Sequence, residues 1–330
     1  MSDRLPVAIK GVGSALPEKV MTNADFEKYL DTSDEWILTR TGIRQRRFCT
    51  NGENTLTLAV EASRKALQRA KLSPGDLDLI ILATSTPAYP IPATACFLQH
   101  ALGCRPIPAF DLGAACSGFI YAFVSAMSMM ATGQYRHALV IGAEAMSSVT
   151  DFQDRTICVI LGDAAGAVVL GPTEDQIAGV YDYLLAADGS GAELIIVPAG
   201  GSAEPTTVEA LEARRHYLKM RGREVYKFAV IKMVEVVRGA VQRAGITLND
   251  LALVIPHQSN ARIIESAAEK LGLPMDRVAM NLDKYGNTSA ASIPLALDEA
   301  MSNRRLHQGD WVLLAGFGGG LTWGSVLLRL

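Results

Sequence analysis

The chain lacks the features that would tie it to nucleic acid, metal or an oxidising compartment. Its 31 lysines and arginines are outnumbered by 34 acidic residues, a formal charge of −3. No basic excess therefore points to nucleic acid, and no long acidic block points to a solvating tail. The five cysteines are odd in number and scattered, without a C-x-x-C pair, which argues against a disulfide framework and a zinc site alike. The five histidines have no ligand spacing, so no metal is expected. The opening MSDRLPVAIKGVG runs straight into a strand-like segment, with no apolar stretch ending in a cleavage site, and reads as cytoplasmic. Small molecules or proteins are the expected partners.

A membrane span is also missing. Residues 112–135 carry no charge, but Gly113, Ser117, Gly118, Ser125, Ser128, Thr132 and Gly133 interrupt the apolar residues. The helical part after Cys116 is about sixteen residues, roughly 24 Å, short of a bilayer core of about 30 Å. A helix apolar on most sides is expected in the buried middle of a large soluble protein.

What the chain does have is bulk and repetition. With 330 residues and 49% hydrophobic composition, it can bury one large core or two fused half-cores. Apolar strand-like runs such as LDLIILATS, HALVIGAE and GAVVLG alternate with helical patterns, which predicts an α/β protein with parallel or mixed sheets buried on both faces. The second half echoes the first. DLDLIILATSTP at 76 returns as DLALVIPHQSN at 250, RHALVIGAE at 136 as GDWVLLAGFG at 309, and GDAAGAVVL at 162 as GLTWGSVLL at 320. Two duplicated α/β halves are expected, residues 1–175 and 176–330. Ligands bind beyond the carboxyl ends of strands in such sheets, so the loops after the echoed strands are where chemistry is expected.

Those loops hold Cys116 in DLGAACSGF, His257 in PHQSN and Asn287 in YGNTSAAS. Taken singly, each has a bland explanation: core filler, a satisfied polar residue, a turn. Together they supply a nucleophile and two hydrogen-bonding groups. A thiol at a helix N-terminus is expected to have a lowered pKa, small neighbours Ala114, Ala115 and Gly118 leave room for a substrate, and GFGGG at 316–320 offers unhindered N–H groups for an oxyanion. The papain-like arrangement also uses Cys, His and Asn in that order, but the C-G-x-C-W context is missing and the duplicated halves do not suit it.

DLGAACSGF, PHQSNARII, YGNTSAASIPLALDEA and FGGGLTWGS, with SDEWILTRTGIRQR near the start, together resemble β-ketoacyl-acyl-carrier-protein synthase III of the thiolase superfamily. The resemblance covers nearly the whole chain. It implies a thiolase-like αβαβα core with mixed five-stranded sheets, a homodimer, no cofactor, and acyl-CoA and malonyl-acyl carrier protein as substrates. It implies that Cys116 carries the acyl group, that His257 and Asn287 stabilise the enolate formed on decarboxylation, that the N–H groups of Cys116 and Gly319 hold an oxyanion, and that Phe317 lines the site. Trp36 and Arg155 would hold the CoA adenine, with Arg40 near its phosphates and Gly222 and Asn260 along the pantetheine tunnel. Arg262 and Lys227 would dock the carrier protein. Met220 and Ile91 would shape the acyl pocket, Ile91 replacing a phenylalanine common in the family, which leaves primer length open. Asn287 replaces the second histidine of elongating synthases, and no cysteine follows Cys158 to serve as a thiolase's second thiol. A polyketide-priming enzyme, or an acyltransferase with another acceptor, is the remaining alternative; a degenerate scaffold subunit is disfavoured because every expected catalytic position is filled.

Overall fold

The computed structural model describes residues 4–330. Strands β1 (Val7–Ala15), β2 (Leu79–Ala83), β3 (Ala109–Leu112), β4 (Ala138–Glu144) and β5 (Ala164–Pro172) form one sheet in the order β1-β5-β4-β2-β3. Strands β6 (Gly179–Ala187), β7 (Leu251–Pro256), β8 (Trp311–Gly318) and β9 (Thr322–Arg329) form another in the order β7-β8-β9-β6. The parallel pair β2/β4 continues through antiparallel β5 and β1. The parallel pair β7/β8 likewise continues through antiparallel β9 and β6. The same order and directions thus recur, as the echoed segments predict.

The second sheet departs from the expected five strands. It has four, and on the free side of β7 a single parallel bridge, Val254–Val278, stands where β3 runs beside β2.

The longer helices are α1 (Asp34–Thr41), α2 (Thr55–Ala70), α3 (Thr94–Leu102), α4 (Gly118–Met130), α5 (Gly222–Ala244), α6 (Ala261–Leu271) and α7 (Ser292–Ser302). Helices α2 and α3 pack on the outer face of the first sheet and α5 on that of the second, with α6 against α5, while α4 and α7 lie between the sheets. This explains why β2 and β4 show no apolar/polar alternation. Both faces are covered and every residue of each strand is buried. It also explains the uncharged 112–135 region. Phe119, Ile120, Phe123 and Met127 of α4 are buried in a core cluster shared by both sheets, each worth about 1.5 to 3 kcal/mol relative to exposure. Among the described residues, no helix is long and apolar enough to cross a membrane.

Outside the repeated framework, Lys19–Thr22 pairs with Gln45–Phe48, and α1 is capped by the Ser33 hydroxyl. This region carries Trp36. The segment 197–210 is largely exposed and runs into a short helix, Val208–Glu212, capped by Thr207.

Candidate active site

Two matching turns build the centre of the molecule. Ala115–Ser117 leads into α4 and Ser289–Ala291 leads into α7. Each begins with a non-glycine residue in the left-handed region, Ala115 at φ 46° and Ser289 at φ 49°, a conformation that costs energy and recurs at functional sites. The turns pack against each other because small residues let them. A Cβ at Gly142 of β4 would lie 2.2 Å from the carbonyl oxygen of Ala290, and one at Gly318 of β8 would lie 2.8 Å from both Cβ and backbone N of Cys116. Any larger residue at either position would push a turn off the strand it packs on.

The side chains expected to converge do so. One cavity of ≈ 210 Å³ is lined by Cys116, His257, Asn287, Phe317, Met220 and Gly318, among others. His257 follows β7; its N–H donates to the Ala315 carbonyl at 2.8 Å and its Nδ1 lies 2.7 Å from Ser292 Oγ on α7. Its ring meets Phe317 edge-on, with centroids 5.6 Å apart. Burial drives the imidazole pKa down to about 3, so His257 is neutral at physiological pH. Asn287 is fixed through its backbone, donating to Ile160 and accepting from Gly162. Its Oδ1 accepts the Ser289 N–H at 2.9 Å, which orients the amide and leaves its NH₂ as the donor for a ligand.

The thiol differs from expectation. Cys116 sits within the short turn ahead of α4, whose first residue is Gly118, and burial pushes its pKa up to about 11. The Ser289 hydroxyl works against this rise, and the nearby Glu144 carboxylate adds to it. Desolvation thus outweighs any benefit from the helix terminus.

The cavity opens towards a wider groove of ≈ 680 Å³ lined by Arg40, Arg223, Lys227 and Arg262, with Gly222, Tyr226 and Asn260 lining both spaces. Asn260 also does structural work. It caps α6 by accepting from the Arg262 N–H and donates to the Arg40 carbonyl at 3.0 Å. Trp36 is half-buried, with the guanidinium carbons of Arg40 and Arg155 at 4.7 and 5.2 Å from its ring centroid; Arg155 is held there by Asp31.

Gly319 is buried behind Gly318, and its carbonyl accepts from the Thr322 hydroxyl at 2.9 Å. Ile91 stands apart from the cavity and is 87% exposed. The sequence reading passed over Glu144, Ser289 and Ser292, which support the site from behind. A lone carboxylate ending an otherwise apolar strand was the available signal for Glu144. Among the described residues, no group of three or more His, Cys, Asp or Glu is placed to hold a metal ion.

Two stacked sheets of matching topology, with a thiol, a buried imidazole and a carboxamide meeting in one cavity, define a thiolase-like condensing enzyme. Residues 110–189 match the family model for 3-oxoacyl-[acyl-carrier-protein (ACP)] synthase III and residues 241–330 match that for its C terminal. The chain belongs to the β-ketoacyl-[acyl-carrier-protein] synthase III family: it is 51% identical over 322 residues to the family member of Roseiflexus castenholzii, covering 98% of this chain and 97% of that one. The solved 3-oxoacyl-[acyl-carrier-protein] synthase III of Aquifex aeolicus superposes with a TM-score of 0.90 at 47% identity, over 98% of this chain and 100% of the other. The priming β-ketosynthase of the R1128 polyketide pathway also superposes with a TM-score of 0.90, at 34% identity, over 100% of this chain and 98% of the other.

Proposed function

We propose that this enzyme initiates fatty acid synthesis by moving an acyl group from acyl-CoA to Cys116 and condensing it with malonyl-acyl carrier protein, releasing CoA, CO₂ and 3-oxoacyl-carrier protein. The observation that carries the assignment of roles is the meeting of Cys116, His257 and Asn287 in one largely apolar cavity that opens onto a basic groove. In the first half-reaction the Cys116 sulfur attacks the thioester carbonyl and CoA leaves. In the second, loss of CO₂ places negative charge on the malonyl thioester oxygen. Neutral His257 and the Asn287 NH₂ donate to that oxygen, each worth about 3 to 4 kcal/mol by analogy with oxyanion donors, and the enolate carbon attacks the acyl-Cys116 thioester. The N–H groups of Cys116 and Gly319 stabilise the oxyanion in both steps, and the Phe317 ring keeps water from the departing carboxylate.

The groove supports the remaining assignments. Trp36 and Arg155 grip the adenine of CoA, Arg40 meets its phosphates, and pantetheine passes Gly222 and Asn260. Arg262 and Lys227 dock the acidic carrier protein. A homodimer accounts for Ile91. The neighbouring loop is tied to β3 by Asp111, which accepts from the Thr94 and Ala95 N–H groups, and β3 ends its sheet with one side unpaired. Pairing through that edge would bury Ile91 against a second copy, where it helps Met220 set primer size. Acetyl and other short primers fit this reading, a methylene in such a pocket being worth about 1 to 3 kcal/mol. The halves 1–175 and 176–330 arise by duplication. No cofactor takes part, and the enzyme works in the cytoplasm.

The test is intact-protein and peptide mass spectrometry after incubation with a panel of acyl-CoAs, followed by malonyl-carrier protein. Acylation of Cys116 that is then discharged as a 3-oxoacyl-carrier product is expected. Acylation that malonyl-carrier protein cannot discharge would assign an acyltransferase with another acceptor.

A further inference from the structure

His257 and Asn287 are both asked to donate to the malonyl oxygen, but only the carboxamide always has hydrogens to give. A neutral imidazole carries one ring proton, and the nitrogen without it can only accept. Burial holds the His257 pKa down to about 3, so near pH 7 the ring gains no second proton. Its use as a donor then depends on which nitrogen holds the one it has.

Nδ1 has a single partner. Ser292 Oγ lies 2.7 Å from it, and both residues are only 1% exposed. Ser292 opens α7, and its backbone N–H is already bound to the Ser289 carbonyl. A serine or threonine hydroxyl in or beside a helix commonly turns back to a carbonyl three or four residues earlier. Ser117 does so in the matching turn, reaching the Ala114 carbonyl, and Thr41 does so on α1, reaching that of Ile37. Ser292 does not. Among the described residues its one side-chain hydrogen bond crosses to His257, 35 residues away.

That isolation decides the direction of the bond. If Nδ1 held the ring proton and gave it to Ser292 Oγ, the serine O–H would be a buried donor without an acceptor, which folded proteins rarely tolerate. If Ser292 donates instead, its hydrogen and the Nδ1 lone pair satisfy each other. The ring proton is then on Nε2. Among the described residues Nε2 has no protein partner, and His257 lines the cavity with Cys116 and Asn287, so this N–H is left for a ligand. The edge-on Phe317 ring and the backbone bond to the Ala315 carbonyl hold the imidazole in that pose.

We propose that Ser292 is a positioning residue that fixes the His257 proton on Nε2 and so makes the imidazole a hydrogen-bond donor to the malonyl thioester oxygen. This rests on the reading of His257 as an enolate donor. Ser292 is not among the residues lining the cavity and acts only through the ring. By donating to Nδ1 it also polarises the imidazole, which strengthens Nε2–H as a donor.

Two measurements on the full-length enzyme test this. Protein carrying ¹⁵N only at histidine has five labelled residues, and comparison with His257→Gln assigns the ring signals of His257. A protonated ring nitrogen resonates far upfield of an unprotonated one, and couplings to the ring C–H hydrogens tell Nδ1 from Nε2. In the wild type at pH 7 the proton should be on Nε2; a proton on Nδ1 overturns the proposal without any variant having to fold at Ser292. In Ser292→Ala the Nδ1 signal should move, and an unmoved signal overturns the contact.

The second measurement is CO₂ release from malonyl-carrier protein. Ser292→Ala should slow it about tenfold, the size of one lost neutral hydrogen bond, and in a His257→Ala background the same change should cost less than about twofold. An equal cost in both backgrounds would make Ser292 a general support of the fold and overturn the proposal, as would no cost beside an intact His257. The reading of His257 fails by a different result: if His257→Ala releases CO₂ as fast as the wild type, the imidazole is no enolate donor, whatever the spectra show.

Discussion

Oδ1 of Asn287 accepts the backbone N–H of Ser289 at 2.9 Å, and the hydroxyl of the same Ser289 lies 3.0 Å from Glu144 Oε1. One turn thereby leaves the Asn287 NH₂ free to donate into the cavity that Cys116 and His257 also line.

That arrangement separates the half-reactions. In Asn287→Ala the enolate loses one neutral donor while the thiol is untouched. Malonyl decarboxylation should fall about 10²- to 10³-fold, and acyl transfer to Cys116 should change by less than about threefold. CO₂ release and mass-spectrometric acylation measure the two separately. Equal losses in both would contradict the division of labour.

Neutral His257 makes a prediction about acid. Its folded pKa, about 3, lies below that of an unfolded histidine, so between these values the unfolded chain binds the extra proton and stability falls as pH falls. From pH 6.5 to 5 the loss assignable to this one group is about 2 kcal/mol. Urea unfolding of wild type and His257→Gln at both pH values isolates it, because the other buried groups are common to both proteins. The variant should lose about that much less stability, and parallel losses would mean that His257 is protonated in the fold.

Gly318→Ala tests how tightly the turns are packed. The new methyl would lie 2.8 Å from the Cβ and backbone N of Cys116, so either Cys116 shifts or β8 does. Overpacking costs about 1 to 3 kcal/mol, too little to unfold a protein of ordinary stability. Acylation should nevertheless fall at least about 100-fold, because displacing a nucleophile by about 1 Å is enough for that. A melting-temperature shift of several degrees with acylation intact would show that Cys116 is more loosely held than its contacts imply.

The parts of this protein that follow from local pattern were legible in its sequence. On α6, Ile263, Ile264, Ala267, Ala268 and Leu271 are buried and Arg262, Glu269 and Lys270 exposed, as helical spacing predicts. The repeated strands were legible because each carries its own apolar run. The missing strand beside β7 was not, since a single bridge at Val278 leaves no strand-length pattern. Glu144 was missed because its partner Ser289 is 145 residues away. The expected lowering of the Cys116 pKa failed for a related reason: a helix terminus is visible in sequence, whereas desolvation is created by two sheets and two central helices closing over the thiol.

The groove gives the last prediction, a double dissociation. Arg262 is exposed at the start of α6 beside Arg40, Arg223 and Lys227, a cationic cluster on a chain whose net charge is −3. Such a cluster attracts an acidic protein and a nucleotide phosphate equally well by charge alone, so charge cannot say which partner uses which residue. Geometry can. Trp36 and its flanking Arg155 offer a flat aromatic and a flat cation, which suit a purine ring, whereas Arg262 is a single exposed charge. Arg262→Glu should therefore raise KM for malonyl-carrier protein about tenfold, an effect that shrinks as salt is added, while acyl-CoA KM stays within about twofold. Trp36→Ala should do the reverse, since losing a base stack costs about 1 to 3 kcal/mol. If Arg262→Glu raises both KM values together, the groove is a shared phosphopantetheine entrance, and the carrier protein must be recognised elsewhere.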